Sequence, residues 1–212
     1  MSSKYSNKAE LFRNREGQMA SNKDRRVQRT HKLLRESLFS LIQEKGFEKV
    51  SVQDIIDHAN VGRATFYTHF DNKEDLLLSG FDALRVSLKK RQSEALSSQR
   101  SVDERIFAYS HELLSHVDEY RHLFRAMSGE RCHAVVQNAL HRLTIDLVRG
   151  DLKAMADQHD GPGAVAEALV EFIAGGLFGL LMWWLGDTSG LSVEDLNGLF
   201  RRFAIPAARA AV

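Results

Sequence analysis

The sequence predicts an all-α protein in which an N-terminal three-helix head sits on a larger helical body, about nine helices in all. Three observations lead there. Apolar residues recur three and four apart along most of the chain, no segment alternates with the period of a half-buried strand, and only two prolines interrupt 212 residues. A chain of this length buries a sizeable core, as one large domain or two small ones. Its charge is divided: residues 1–92 carry 18 Lys and Arg against 12 Asp and Glu, residues 93–212 carry 11 against 16. A basic N-terminal part on an acidic body fits a head that meets polyanions and a body that avoids them.

Residues 1–23 have no apolar core and read as a flexible basic tail without a secretory signal. The first helix covers residues 24–44. Val27, Leu34, Leu38, Leu41 and Ile42 share one face, Arg25, Arg26 and Arg29 stand on the first turns, and Gly46 ends it. Ser51 followed by Asp54 has capping-box spacing for a second helix, along which Val52, Ile55, Ile56 and Ala59 recur with helical period. Asn60 stands where the chain must turn, and Asn tolerates left-handed backbone. Gly62 then caps a very short third helix ending at Phe70. Val61, Phe66 and Phe70 anchor it, which leaves Arg63, Thr65, Tyr67, Thr68 and His69 with polar groups facing out. Such a pair suits a recognition helix laid in the DNA major groove. Arg63 is the one long cation near the start of that helix, and arginine pairs bidentately with guanine.

A fourth helix runs from Lys73 to Gln92, capped by Asn72, with Leu77, Phe81, Leu84 and Leu88 as its stripe. Lys89, Lys90 and Arg91 favour the negative end of its dipole. The stretch SEALSSQRS marks a soft boundary, so residues 24–92 form the head with its connector and 93–212 the body. Ser101 and Glu104 repeat the capping-box spacing, opening a helix to about Ser115. A short helix follows over Glu119–Met127 and a long one over Glu130–Ala156. After the loop QHDGPG, Ala164–Leu185 is the most apolar helix, and Ser192 caps a last one that Pro206 ends or kinks. The apolar run Phe172–Leu185 is 14 residues, too short for a membrane span and suited to a buried helix. Phe172, Leu177, Leu180, Leu181, Trp183 and Trp184 surround that helix nearly completely, while Gly175, Gly176 and Gly179 permit close approach of another backbone. A helix apolar on most sides is buried on most sides, so part of it needs a second chain.

Other chemistries find little support. Cys132 is the only cysteine, which excludes an intramolecular disulfide and suits a reducing compartment. Its neighbours Arg131 and His133 would lower the thiol pKa in a redox sensor, but a lone cysteine is far more often idle. The segment from His111 to His116 approaches the HExxH pattern of zinc hydrolases. Its two histidines are five apart, about 140° around an ideal helix. No phosphate-cradling glycine loop, nucleophile elbow or paired-cysteine zinc site is present. The sequence predicts no enzyme, no cofactor and no metal; a metallohydrolase is the weak alternative. A stronger rival is a helical dimeric interaction protein without operator binding.

Residues 51–77, SVQDIIDHANVGRATFYTHFDNKEDLL, carry a specific resemblance. They are similar to the helix-turn-helix of TetR-family transcriptional regulators, whose pattern is Ile-Ala-x-x-Ala-Gly-Val-Ser-x-x-Thr-x-Tyr-x-x-Phe-x-x-Lys-x-x-Leu. Ile55, Ala59, Val61, Thr65, Tyr67, Phe70, Lys73 and Leu76 fill matching positions, while Ile56, Asn60 and Gly62 stand where the family has Ala, Gly and Ser. The places of Arg63, Thr65, Tyr67 and Lys73 in the family pattern that residues 51–77 resemble argue against an interaction protein without operator binding. The resemblance implies a cytoplasmic homodimeric regulator of nine-helix plan, most often a repressor released from its operator by a small molecule. It implies that Arg29, Ser51, Gly62, Arg63, Ala64, Thr65, Tyr67, Thr68, His69 and Lys73 face a pseudo-palindromic double-stranded operator. Of these, Tyr67, His69 and Lys73 would touch the backbone, as would the amides at Ser51. An effector cavity would be lined by Phe107, His111, Leu114, Phe124, Met127, Leu143, Leu147, Phe178 and Met182, with His111 or Arg125 as anchor. A four-helix dimer interface would use the last two helices, with Gly175, Gly179, Trp183 and Leu199 in it.

Overall fold

The computed structural model describes residues 25–126, 130–156, 163–186 and 190–210, and every regular element among them is helical. In chain order they are α1 (25–45), a 3-10 turn (Phe47–Lys49), α2 (Val52–Ala59), α3 (Arg63–His69), α4 (Lys73–Leu96) and α5 (Val102–Arg105). Then come α6 (Ser110–Glu119), α7 (Arg121–Ala126), α8 (Glu130–Ala156), α9 (Gly163–Gly186) and α10 (Val193–Arg209). The basic tail, the QHDGPG loop up to Pro162, and Met127 fall outside the described residues, as do the side chains of Arg125 and Cys132.

The head closes over Leu34, Leu38, Leu41 and Ile42 of α1, Ile55 and Ile56 of α2, and Phe66 and Phe70. Gly46 ends α1 at φ +76° although a Cβ there would meet nothing, so the backbone conformation and not space requires glycine. Asn60 takes the left-handed conformation (φ 51°, ψ 47°) that its place in the turn demands, and the Val61 N–H donates back to the Ile56 carbonyl at 2.9 Å. Lys73, at the start of α4, ties the 3-10 turn down. Its ammonium donates to the carbonyls of Phe47 (2.8 Å), Val50 (2.8 Å) and Glu48 (3.4 Å) and lies 4.4 Å over the Phe47 ring.

Helix α4 belongs to two cores. Leu76 and Leu77 are buried in the head, Leu84 and Leu88 in the body, and Phe81 packs against both. The helix also runs four residues beyond the expected end at Gln92, so the first part of the presumed linker is helical. Gln92 explains the extension: its amide is buried and donates to Leu147 O (2.6 Å) and Asp151 Oδ1 (2.8 Å) on α8. In the other direction, Leu123 of α7 and Val136 of α8 enter the head core.

The body corrects three expectations. The helix expected from Ser101 to Ser115 breaks after one turn, because Phe107 sits at φ 55°, a conformation that bulky residues rarely adopt. The strain is held by hydrogen bonds from distant elements. Asp151 Oδ2 accepts from the Phe107 N–H at 2.6 Å, and the Arg201 guanidinium donates to the carbonyls of Ile106 (2.9 Å), Phe107 (3.0 Å) and Asp103. Pro206 does not end α10, which continues to Arg209; proline forgoes a single helical N–H bond, and the Ala210 N–H still donates to the Pro206 carbonyl at 3.0 Å. Finally, Glu167–Gly186 of α9 is long and apolar enough to cross a membrane by length and composition, contrary to the shorter apolar run. It is nonetheless built into the body: Ile173, Leu177, Leu181 and Trp184 are buried in the core, with α8 and α10 packed against the helix. The Trp184 indole donates to Leu191 O at 2.9 Å.

Among the described residues Asp151 is the one buried carboxylic acid. Burial raises its pKa from 3.8 to about 6, against the Phe107 N–H, the Gln92 amide and the charges of Lys89 and Arg201, which pull it down. A folded-state pKa above the unfolded value contributes stability that is complete below the unfolded pKa and lost as pH rises through the folded one. Asp151→Ala should therefore cost about 1–3 kcal/mol by leaving the Phe107 N–H unsatisfied. Urea denaturation at pH 5 and pH 7.5 should show the parent's advantage shrinking at the higher pH; an advantage that grows with pH would contradict this account. Lys73→Met keeps an apolar stem over Phe47 but removes the donor from three carbonyls, and should lower stability by about 1–3 kcal/mol in the same measurement.

Candidate nucleic-acid interface

Helix α3 is held by its two inward rings. Phe66 and Phe70 are buried with centroids 5.9 Å apart, so the remaining residues are pushed outward. Arg63, Ala64, Thr65, Tyr67 and Thr68 are exposed, and Arg63 has no ion-pair partner among the described residues. Tyr67 stands edge-on to Phe66 at 5.4 Å with half its surface in solvent. Thr68 offers less than expected, since its hydroxyl donates to Ala64 O at 2.8 Å and keeps only its lone pairs and methyl for a ligand. His69 is half-buried and meets His31 of α1 edge-on at 4.8 Å, while His31 also packs on Phe70 at 4.7 Å. That contact joins α1 to the C-terminal end of α3, and Arg25, Arg26 and Arg29 are exposed on the turns of α1 that precede it. Gly62 caps α3 in extended conformation without a side-chain hydrogen bond.

Two expected phosphate contacts are otherwise engaged. The Ser51 N–H and hydroxyl donate to Asp54 Oδ2 at 2.7 and 2.6 Å, and Lys45 Nζ reaches the same oxygen at 3.0 Å. The Ser51 hydrogen bonds hold the Asp54 carboxyl far below its ordinary range, Lys45 helping, so this helix end carries its own anion. Lys73 has its donors on three carbonyls and none left for a phosphate. The first correction was readable from Asp54 three residues after Ser51; the second was not, because the carbonyls lie 23 to 26 residues away.

The expected effector lining does not converge. Phe107, Leu114, Leu143 and Leu147 are packed into the solid body core. Phe178 stacks near His141 at 4.8 Å, and Met182 accepts from the Gln137 amide. His111 is exposed against Glu194 at 3.4 Å, whereas His116 packs on Tyr120 at 4.7 Å, so the two histidines of the near-zinc pattern serve different neighbours. Phe107 and His111 do border a polar hollow with Arg91, Arg100 and Arg201. Phe124 alone fronts an apolar chamber, of about 200 Å³, between head and body. Its other walls include Phe39 of α1, Phe81 of α4, and His116 and Tyr120. Sequence periodicity missed these because each lies on a different helix face and reads as ordinary core.

The outer face of α9 is open. A Cβ on Gly175, Gly176 or Gly179 would meet nothing within 4 Å, and Phe172 (70 %) and Trp183 (49 %) are exposed. Beside them on α10, Phe203 is 67 % exposed and Leu199 half-buried, and Phe172, Gly176 and Phe203 border a shallow apolar groove.

Comparison with known proteins agrees with this architecture. Residues 35–79 match the family model for bacterial regulatory proteins of the tetR family, and residues 104–205 match a model for a transcriptional regulator C-terminal region. An uncharacterised helix-turn-helix-type transcriptional regulator of Bacillus subtilis, YxbF, is 42% identical over 55 residues, which are 26% of this chain and 14% of that relative's length. A TetR transcriptional regulator from Streptococcus agalactiae is similar in structure with a TM-score of 0.55 and 26% identity, over 87% of this chain and 98% of that one. A transcriptional regulator from Bacillus subtilis, FadR, solved in complex with stearoyl-CoA, shares the fold at a TM-score of 0.62 and 17% identity, over 82% of this chain and 97% of its own. A helix-turn-helix head whose α3 stands on Phe66 and Phe70, joined through α4 to a helical body, is thus matched at both ends, and the chain belongs to the TetR family.

Proposed function

We propose that this protein is a cytoplasmic DNA-binding transcriptional regulator, a homodimeric repressor released from a pseudo-palindromic operator by a small molecule. One observation carries the reading: α3 turns Arg63, Thr65 and Tyr67 to solvent from a buried two-phenylalanine footing, and α1, which meets its end through His31, carries exposed arginines on its first turns. An arginine at the start of such a helix fits the guanine edge in the major groove, and the α1 arginines fit flanking phosphates. Dimerisation is supported by the open aromatic and glycine face of α9 with the adjoining face of α10. Two heads one or more helical turns apart then match two half-sites. Effector control is supported by family membership and by a fold neighbour bound to stearoyl-CoA.

Selection of duplexes from a random pool should return a pseudo-palindrome. Arg63→Ala should lose roughly 1–3 kcal/mol of operator affinity and relax preference at one base pair per half-site. The same sequence logo from mutant and parent would remove Arg63 from base reading. Lys73→Met, by contrast, should leave the salt dependence of binding unchanged, since its ammonium faces carbonyls.

Gly179→Leu places its new side chain in space that is open within the protomer, so the protomer should fold. Overpacking the interface typically costs ~1–3 kcal/mol, and both protomers of a symmetric dimer carry the change. Sedimentation should show weakened dimers, and DNA titration on the same sample should show operator specificity lost with weak non-specific binding retained. A mutant that stays dimeric with full operator affinity would move the interface to α10.

A further inference from the structure

The seam between head and body has the chemistry of a ligand site. Head residues Arg35 and Phe39 form one wall of the chamber, Tyr120 at the α6–α7 junction and Phe124 of α7 another, and Gly80 with Phe81 of α4 the floor. Its volume of about 200 Å³ exceeds the ~150 Å³ at which an apolar cavity accepts benzene, so one or two fused rings fit. Phe39 and Tyr120 pack on one another with centroids 6.0 Å apart, and with Phe81 and Phe124 they give the chamber aromatic walls, which favour a flat guest lying against them.

Charge narrows the class. No Asp or Glu is among the lining residues, and Arg35 is their one arginine or lysine, without an ion-pair partner among the described residues. Burial holds the His116 imidazole below its ordinary pKa, which leaves it a neutral donor or acceptor near pH 7. An arginine that is half-buried on an apolar wall and has no ion-pair partner among the described residues favours an anion with an apolar body. We propose that the chamber binds an aromatic weak acid of one or two rings, with its carboxylate or phenolate toward Arg35 and its rings among Phe39, Phe81 and Tyr120, and that the effector acts through this seam. A guest there touches α1 and α7 at once, so its affinity depends on how head and body are set, the condition for shifting one against the other. The regulatory half rests on the reading of the protein as an effector-released DNA binder; the binding half does not.

Titration calorimetry on the full-length protein without DNA separates the two. Three probes of one shape are used: 1-naphthoate, naphthalene and 1-naphthylmethylammonium. Naphthoate should bind at least tenfold tighter than the ammonium probe. Gly80→Leu, whose side chain starts from a site 3.9 Å from Arg35 Cδ and 4.0 Å from Phe39 Cζ, should lower naphthoate affinity more than tenfold. Arg35→Met should abolish the preference for the acid while naphthalene binds as before, and this arm stands even where Gly80→Leu fails to fold. Failure of naphthoate to bind, parental affinity in folded Gly80→Leu, or an acid preference that survives Arg35→Met would each overturn the site. With binding established, saturating naphthoate should weaken DNA affinity of the parent at least tenfold. Unchanged DNA affinity would overturn the regulatory half and leave the site standing, while DNA binding as such is judged by Arg63→Ala.

Discussion

The Asp151 carboxylate is cut off from water, and the elements around it are placed so as to satisfy it. Its two oxygens accept from the Gln92 amide on α4 and from the Phe107 N–H at the corner between α5 and α6. Gly150 makes room for this, since a Cβ there would lie 3.0–3.2 Å from the Gln92 amide group. Arg201 of α10 then takes the carbonyls on the other side of the corner. Desolvation makes such a group a poor source of stability, as its raised pKa records. Its value lies in position: four elements distant in sequence meet at one orientation because any other leaves a buried donor or acceptor unpaired.

From that anchor the constraint passes along α4 to the DNA-facing end. Leu84 and Leu88 bind the helix to the body, Leu76 and Leu77 bind it to the head, and Lys73 clamps its first turn to the backbone after α1. Phe66 and Phe70 seat α3 on the same head core, and the His31–His69 contact fixes its far end against α1. The exposed side chains of α3 are therefore presented by a frame with few loose joints. The chamber lies at the seam between α1 and α7.

What the sequence made legible was local. The capping boxes at Ser51–Asp54 and Ser101–Glu104, the Asn72 cap and the left-handed Asn60 follow from residues within one turn, and all are present. The outward face of α3 followed in the same way from Phe66 and Phe70. Features set by distant partners stayed hidden. The Phe107 corner looks like uninterrupted helix until Asp151, 44 residues on, is brought to it. Gln92 looks like a polar helix end until its amide is seen inside the body, and Lys73 looks like an exposed cation until its carbonyls are found. The chamber was hardest, because it is assembled from several helices whose apolar residues core packing would equally demand.

Leu123 and Val136 belong to the body by position in the chain and to the head by burial. A head cut away at the end of α4 would therefore expose the sockets those two side chains fill. In evolutionary terms the DNA-reading unit is not an interchangeable cassette. A recombinant that joined this head to a relative's body would inherit foreign residues in the head core, and would need matching side chains at both positions to close it. Drift in the head core and drift at these two positions of α7 and α8 should proceed as paired changes, so this part of the body should evolve with the head rather than with the rest of the body.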